Sequence, residues 1–245
     1  MSEWFADFAA DFQQSFLDGN PPRWQAMLEA VGTTLKITAC ALLIGAVLGI
    51  LVASIRARHD QLKLEGKSNS VLNVLNAICQ VYLTVIRGTP MMVQLLIMYF
   101  VIMASSTNTF LIAVISFGIN SGAYLAEIVR GGIMAIPKGQ TEAGRSLGLS
   151  YLQTMTYIII PQALRAILPA LGNEFIALLK ETSIVNVIGM VDLTKWAINV
   201  QGRTYQAFMP FLGTAAVYLV LVIILTRIVA FTEKKLSINK KADEN

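Results

Sequence analysis

The stretch Leu28–Ile55, LEAVGTTLKITACALLIGAVLGILVASI, carries only Glu29 and Lys36 as charges. A helix needs about 20 mostly apolar residues to cross the hydrocarbon core of a bilayer. Comparable runs lie at Val71–Met103, Phe110–Val129 and Phe208–Phe231, and another follows Ser150. Inside a bilayer the spanning segments must satisfy their own backbone N–H and C=O groups, which leaves helices or closed barrels. Barrel strands alternate in character over about ten residues, whereas these runs are continuous. Soluble domains hold roughly 25% charged residues; this chain holds 14%, with a mean hydropathy of +0.61. It reads as an all-α, polytopic membrane helical bundle of about five transmembrane helices. Its 245 residues leave no room for a second large soluble domain.

Lysine and arginine gather in cytoplasmic loops. Leu28–Ile55 ends in Arg56 and Arg58, with Lys63 and Lys67 beyond, so this tract reads as a cationic cytoplasmic loop. The N-terminus then lies outside, where Asp7, Asp11 and Asp18 stand. Val71–Met103 is too long for one straight crossing. Gly88-Thr89-Pro90 interrupts it, and proline has no N–H to continue a helix. The spacing predicts a helix over Val71–Arg87 starting at the cytoplasmic interface, and a crossing to the outside over Pro90–Met103. A polar turn, Ser105–Asn108, follows, then a third span, Phe110–Val129, with Arg130 and Lys138 at its cytoplasmic end. Ser150 and Gln153 form a capping box for a fourth helix, which runs outward through two potential kinks, Pro161 and Pro169. Residues 183–206 make an outer segment. The last span is Phe208–Phe231, and Arg227, Lys234, Lys235, Lys240 and Lys241 place the C-terminus inside.

Three regions follow. Residues 1–27 are an amphipathic N-terminal segment: Trp4, Phe5, Phe8 and Phe12 recur at helical spacing, as in a helix lying on a lipid surface. With no basic stretch before them, they are not expected to be a cleaved signal peptide. Residues 28–231 are the transmembrane domain, with a cytoplasmic loop at about 137–150. Residues 232–245 are a basic cytoplasmic tail.

No catalytic constellation is present. Gly66-Lys67-Ser68 ends like a phosphate-binding loop, but Gln61 stands where that motif needs glycine. There is no nucleophile elbow, zinc-protease motif or dinucleotide fingerprint. The chain is therefore not expected to be an enzyme or to hold a cofactor of its own. Cys40 and Cys79 lie in separate apolar segments without metal-ligand spacing and read as reduced apolar residues. His59, the single histidine, builds no metal site and is expected to be solvated in its charged tract. The one-sided basic residues account for the net charge of +4 without a nucleic-acid partner.

Two polar features stand out. The stretch GQTEAGRSLGLS, residues 139–150, is small and polar between apolar runs, as a docking surface would be. Within the fourth apolar segment lie Glu174, Lys180 and Glu181. Glu174 and Glu181 are two helical turns apart and share a face. Charges at membrane depth are costly and face a bundle interior or a watery cavity. They either line a path for a charged or zwitterionic solute or form a salt-bridge cluster near the outer surface. Arg87 has two readings as well: it snorkels to the interface, or it belongs to the path.

The segment EAGRSLGLSYLQTMTYIIIPQAL resembles the EAA signature of permease subunits of binding-protein-dependent ABC importers. Glu142, Ala143, Gly148, Ile158 and Pro161 fit it, and Gly144 replaces the second alanine. YLTVIRGTPMMVQL, SGAYLAEIVRGGIMAIPKGQ and GNEFIALLKETSIVNVIGMVDLT look like the polar amino-acid subfamily, which includes histidine, glutamine, arginine and cystine permeases. The resemblance covers about Leu28–Phe231. It implies the ABC importer type I permease fold in a bacterial cytoplasmic membrane, and a coupling helix in the cytoplasmic loop that sits in a groove of an ATPase subunit. Glu142, Ala143, Gly144, Arg145 and Gly148 would form this contact, Ala143 and Gly144 letting the partner approach closely. Glu174, Lys180 and Glu181 would be the solute-binding candidates. The implied partners are an ATPase dimer, which binds ATP and magnesium, an external solute-binding protein, and a second permease copy, identical or related. ATP would swing the bundles outward-open and hydrolysis would return them. A self-sufficient secondary carrier is disfavoured by five crossings without an inverted repeat, and a membrane scaffold by the intramembrane carboxylates.

Overall fold

The computed structural model describes the backbone of residues 2–243 and the side chains of 5–235. Every element among them is helical. Five are long and apolar enough to cross a membrane: Arg23–Leu64, Ser70–Gly88, Thr109–Met134, Tyr151–Ile188 and Phe208–Lys235.

At the centre, α2 (Arg23–Leu64) lies against α5 (Thr109–Met134). The pair is parallel. Gly45 faces Ser121 and Gly122, and Gly49, one turn on, faces Leu125 and Ala126, one turn on. A Cβ on Gly49 would stand 2.7 Å from the Leu125 Cβ; one on Gly118 would stand 2.7 Å from Ile44. Small residues on both helices thus let the backbones meet, the packing that replaces hydrophobic drive between helices in lipid. Ile37, Ile112 and Phe117 close the part of this contact nearer the N-terminal ends of both helices as fully buried side chains.

Two parallel crossings require the chain to cross back between them. This return is α3 (Ser70–Gly88) followed by α4 (Met91–Ile97), which continues through a π-helical turn to Ile102. The break at Thr89-Pro90 leaves carbonyls without helical partners. Gln94 Nε2 donates to the carbonyls of Ile86 (2.7 Å) and Thr89 (3.1 Å), and Asn120 Nδ2 of α5 donates to Gln94 Oε1 (3.0 Å). The sequence places the crossing in Pro90–Met103; the crossing-length helix is instead Ser70–Gly88, and Met91–Ile102 is the shorter piece. Val74, Ile78, Val81 and Val85 of α3 are exposed, as lipid-facing side chains are.

The fourth crossing combines α7 (Tyr151–Thr154), a π-helical turn at Met155–Ile159, α8 (Ile160–Glu181) and a 3₁₀ turn to Ile188. The capping box is present: Gln153 N donates to Ser150 Oγ, and Ser150 N to Gln153 Oε1. The π turn ends two residues before Pro161, whose missing N–H breaks the regular ladder there. Helix α8 is antiparallel to α5, with Gly132 against Ile167 and Ser121 against Glu174. Asp192 then caps α9 (Leu193–Thr204), accepting from Thr194 N and Lys195 N, a helix the sequence reading left inside an outer segment. The last helix, α10 (Phe208–Asp243), packs Val229 onto Gly172 of α8 and Gly213 onto Phe16.

The expected loop at Arg56–Ser70 is mostly helix, because α2 runs on to Leu64. At 42 residues it is about 63 Å long, twice the hydrocarbon thickness. Its charged turns are held from the side: Arg56 pairs with Glu127, Asp60 with Arg130 at 3.1 Å, and Arg58 sits 4.0 Å over the Tyr151 ring. His59 is half-buried, with Nδ1 3.4 Å from Asp60, rather than solvated. At the other end, α1 (Ser2–Phe12) exposes Phe5, Phe8 and Phe12, while Phe16 stacks on Trp196. The Trp4 side chain lies outside the described residues, as do those of Lys240 and Lys241.

The glycine contact yields a paired prediction. Gly49→Ala puts a methyl into backbone and side chain of α5, so it lowers the thermal midpoint by overpacking worth about 1–3 kcal/mol. Gly32→Ala, on the same helix with no atom within 4 Å of its added Cβ, leaves or raises it. Equal midpoints for the two variants would refute the close α2–α5 contact.

Candidate functional site

The polar loop folds into a short helix, α6 (Lys138–Ser146), entered from Pro137. It ends where Gly148 takes φ +78°, a conformation that favours glycine. There Gly148 N donates to the Arg145 carbonyl and Leu149 N to that of Gly144. The capped start of α7 follows at once, so α6 is braced at both ends.

Glu142 and Ala143 are exposed. Gly144 is buried, and a Cβ there would stand 2.9 Å from Thr154 Cγ2 and 3.0 Å from Ile158 Cδ1. The expectation that Gly144 admits a partner is thus corrected: it admits the chain's own next helix. Arg145 is exposed and reaches Glu65 at 3.3 Å, and Lys67 holds the other Glu65 oxygen at 2.8 Å. The Lys67 ammonium and, less strongly, Arg145 keep the Glu65 carboxyl below its usual pKa range. Gly148 shapes the turn. Leu147 beside it, unmarked by the sequence reading, is 80% exposed. The signal was an apolar residue ending a polar helix just before a glycine.

Behind α6 is a cavity of about 580 Å³ lined by Arg58, Gln61, Glu65, Glu142, Arg145 and Tyr151 among others. Tyr151 donates to Gln61 Oε1 at 2.9 Å. The overrun of α2 is therefore the wall against which α6 and α7 rest. Deeper, Glu127 of α5 binds both Arg56 and Arg130. This network was missed because its members are about 70 positions apart in sequence.

Within the bundle, Glu174 is half-buried and accepts from Ser121 Oγ at 3.1 Å. Ser121 is itself fully buried. Lys180 and Glu181, at the end of α8, are exposed. Among the described residues no ion pair joins Lys180 to either carboxylate. The three candidates thus do not converge: one carboxylate is inside, and a separate charged pair sits at the helix end. Among the described residues no cluster of metal-ligating side chains occurs either.

Residues 45–238 match the family described as "Binding-protein-dependent transport system inner membrane component". The putative glutamine transport system permease protein GlnP of Rickettsia prowazekii (strain Madrid E) is 37% identical over 221 residues, covering 89% of this chain and 96% of that protein. The arginine transport system permease protein ArtQ of Bacillus subtilis (strain 168) is 37% identical, covering 89% and 95%. Among solved structures, an amino acid ABC transporter crystallised with histidines superposes with a TM-score of 0.76 at 39% identity, over 85% of this chain and 93% of that one. An inward-facing MetNI methionine ABC transporter gives 0.67 at 20% identity over 86% and 94%, a likeness of fold. The chain has the architecture of ABC importer permeases, crosses the membrane several times, and belongs to the family of inner membrane components of binding-protein-dependent transport systems.

Proposed function

We propose that the chain is the permease subunit of an ATP-driven importer of polar amino acids, and that Glu174 lies on its solute path. The observation that carries this is the partner of Glu174: a neutral serine, not a cation, in the middle of two crossing helices. A charged carboxylate without a countercharge at that depth is costly unless it faces water or a cationic ligand, and the ammonium of an amino acid supplies such a cation. The permease relatives named for glutamine and arginine support the same substrate class. The path is completed by a second permease copy, and an external solute-binding protein delivers the solute. ATP and magnesium belong to a separate ATPase dimer.

Coupling follows from how α6 is mounted. Glu142, Ala143 and Leu147 meet the ATPase. Gly144 passes the push to Thr154 and Ile158, and so into α8, which Gly132 and Ser121 lock to α5. A displacement of α6 then moves the wall bearing Glu174 as one body, the usual way packed elements amplify a local shift.

The direct test is uptake of labelled amino acids by proteoliposomes holding the full complex. Uptake that requires ATP and the binding protein is expected. Glu174→Gln keeps the shape, lowers uptake at least tenfold and leaves assembly and basal ATPase activity intact. Wild-type uptake kinetics in this variant would remove Glu174 from the path.

Glu142→Lys reverses an exposed charge without touching the packing of α6. Loss of a charge-assisted contact costs about 1.5–3 kcal/mol, so ATPase affinity falls roughly tenfold to a hundredfold while the permease keeps its stability. Gly144→Val, in contrast, destabilises the permease itself. Full ATPase association by Glu142→Lys would place the docking surface elsewhere.

The arrangement of basic residues supports an N-terminus outside and a C-terminus inside the bacterial inner membrane. On a background without Cys40 and Cys79, Leu64→Cys or Gln140→Cys is then shielded from an impermeant thiol reagent in intact cells. Labelling of either from outside would invert the topology.

A further inference from the structure

The cavity of about 580 Å³ behind α6 carries an excess of positive charge. Arg58, Lys67, Lys138 and Arg145 line it against Glu65 and Glu142. Four cations against two carboxylates leave two positive charges over. Glu65 is already taken by Lys67 and Arg145. Among the described residues neither Arg58 nor Lys138 forms an ion pair. Arg58 instead lies 4.0 Å from the centre of the Tyr151 ring, a contact that steadies a guanidinium without neutralising it.

The rest of the lining is apolar. Leu62 of α2, Ile133 and Met134 of α5, and Leu149 before α7 belong to it. Leu64, also in the lining, is more than half exposed and stands at the mouth. A site for a small free anion has no need of such walls; a site for an anionic amphiphile has.

The place of the cavity fits that ligand. The apolar run of α2 ends at Ile55. Along a helix near the membrane normal, Arg58 stands about 5 Å beyond it. The headgroup layer is roughly 5–8 Å thick on each side of the hydrocarbon core, so Arg58 lies within it. Next to Tyr151, Leu152 of α7 is exposed, as is Tyr157, an apolar and an amphipathic side chain suited to the lipid boundary.

We propose that this cavity binds the phosphate of an anionic phospholipid such as phosphatidylglycerol, held by Arg58 of α2 and Lys138 of α6. The guanidinium fork matches two phosphate oxygens, and the lysine adds a point charge, as in other basic pockets between membrane helices. The lipid then bridges the overrun of α2 to the first residue of α6 and joins the two elements across the cavity. Such a site needs only a chain embedded in a bilayer, and its loss leaves the amino-acid reading standing.

The experiment is native mass spectrometry of the detergent-purified permease–ATPase complex with added phosphatidylglycerol or phosphatidylcholine. The wild type retains phosphatidylglycerol in preference. Arg58→Gln and Lys138→Gln each weaken that preference about fivefold. Lys63→Gln, an exposed cation on α2 outside the cavity lining, leaves it unchanged. If Arg58→Gln fails to assemble, the exposed Lys138 decides alone. An unchanged preference in Lys138→Gln overturns the site, and an equal loss in Lys63→Gln reduces it to diffuse surface attraction. Displacement of the lipid by millimolar inorganic phosphate would mark a free-anion site and overturn the lipid. A preference shown by the permease alone but lost in the complex would give the cavity to the ATPase and overturn it as well.

Discussion

The close approach of α2 and α5 is the constraint on which the other elements depend. Gly45 and Gly49 on one helix meet Gly118, Gly122 and their neighbours on the other, and no side chain separates the backbones. Two parallel crossings in contact force the chain between them to return through the membrane. The broken unit of α3 and α4 is that return. The outer faces of the pair then receive α8 on one side and α3 on the other. Ser121, Glu127 and Arg130, which hold Glu174, Arg56 and Asp60, all sit on α5.

This placement gives a mechanical reading of the polar groups. The charged turns of α2 past Ile55 do not end the helix; they extend it as a post clamped by Glu127 and Arg130. Helices α6 and α7 lean on that post through Arg145, Arg58 and Tyr151. The proposed coupling patch is therefore not a loose loop. It leans on α2, which Glu127 and Arg130 clamp to α5, and a deeper turn of α5 holds Glu174 through Ser121.

Much of this was legible from sequence, and the rest failed for identifiable reasons. The apolar runs, the capping box at Ser150 and the break at Thr89-Pro90 are local signals, and each produced its element. The end of α2 was misplaced because Arg56–Leu64 looks like a loop unless Glu127 and Arg130, far along the chain, are known to face it. Helix α9 was missed because it is short and amphipathic, with Asp192 as its only clear start signal. At the candidate sites, Glu142 and Ala143 are exposed, as a docking role requires. Gly144 was assigned to a partner because small residues look alike whether they admit another protein or the next turn of the same chain. Glu174, Lys180 and Glu181 were grouped by their place in one apolar segment and the two carboxylates by period, which gives a shared face but not depth: Glu174 is half-buried and the other two are exposed.

The central claim is that the wall bearing Glu174 changes sides when ATP acts through α6. Ala177 lies on α8 between the two carboxylates. Ala177→Cys, on a background without Cys40 and Cys79, reports the access of that wall to an impermeant thiol reagent in the reconstituted complex. The account predicts labelling from the cytoplasmic side without nucleotide and from the opposite side when ATP is trapped with the binding protein present. Labelling from one side only, at a rate that nucleotide does not change, would contradict it.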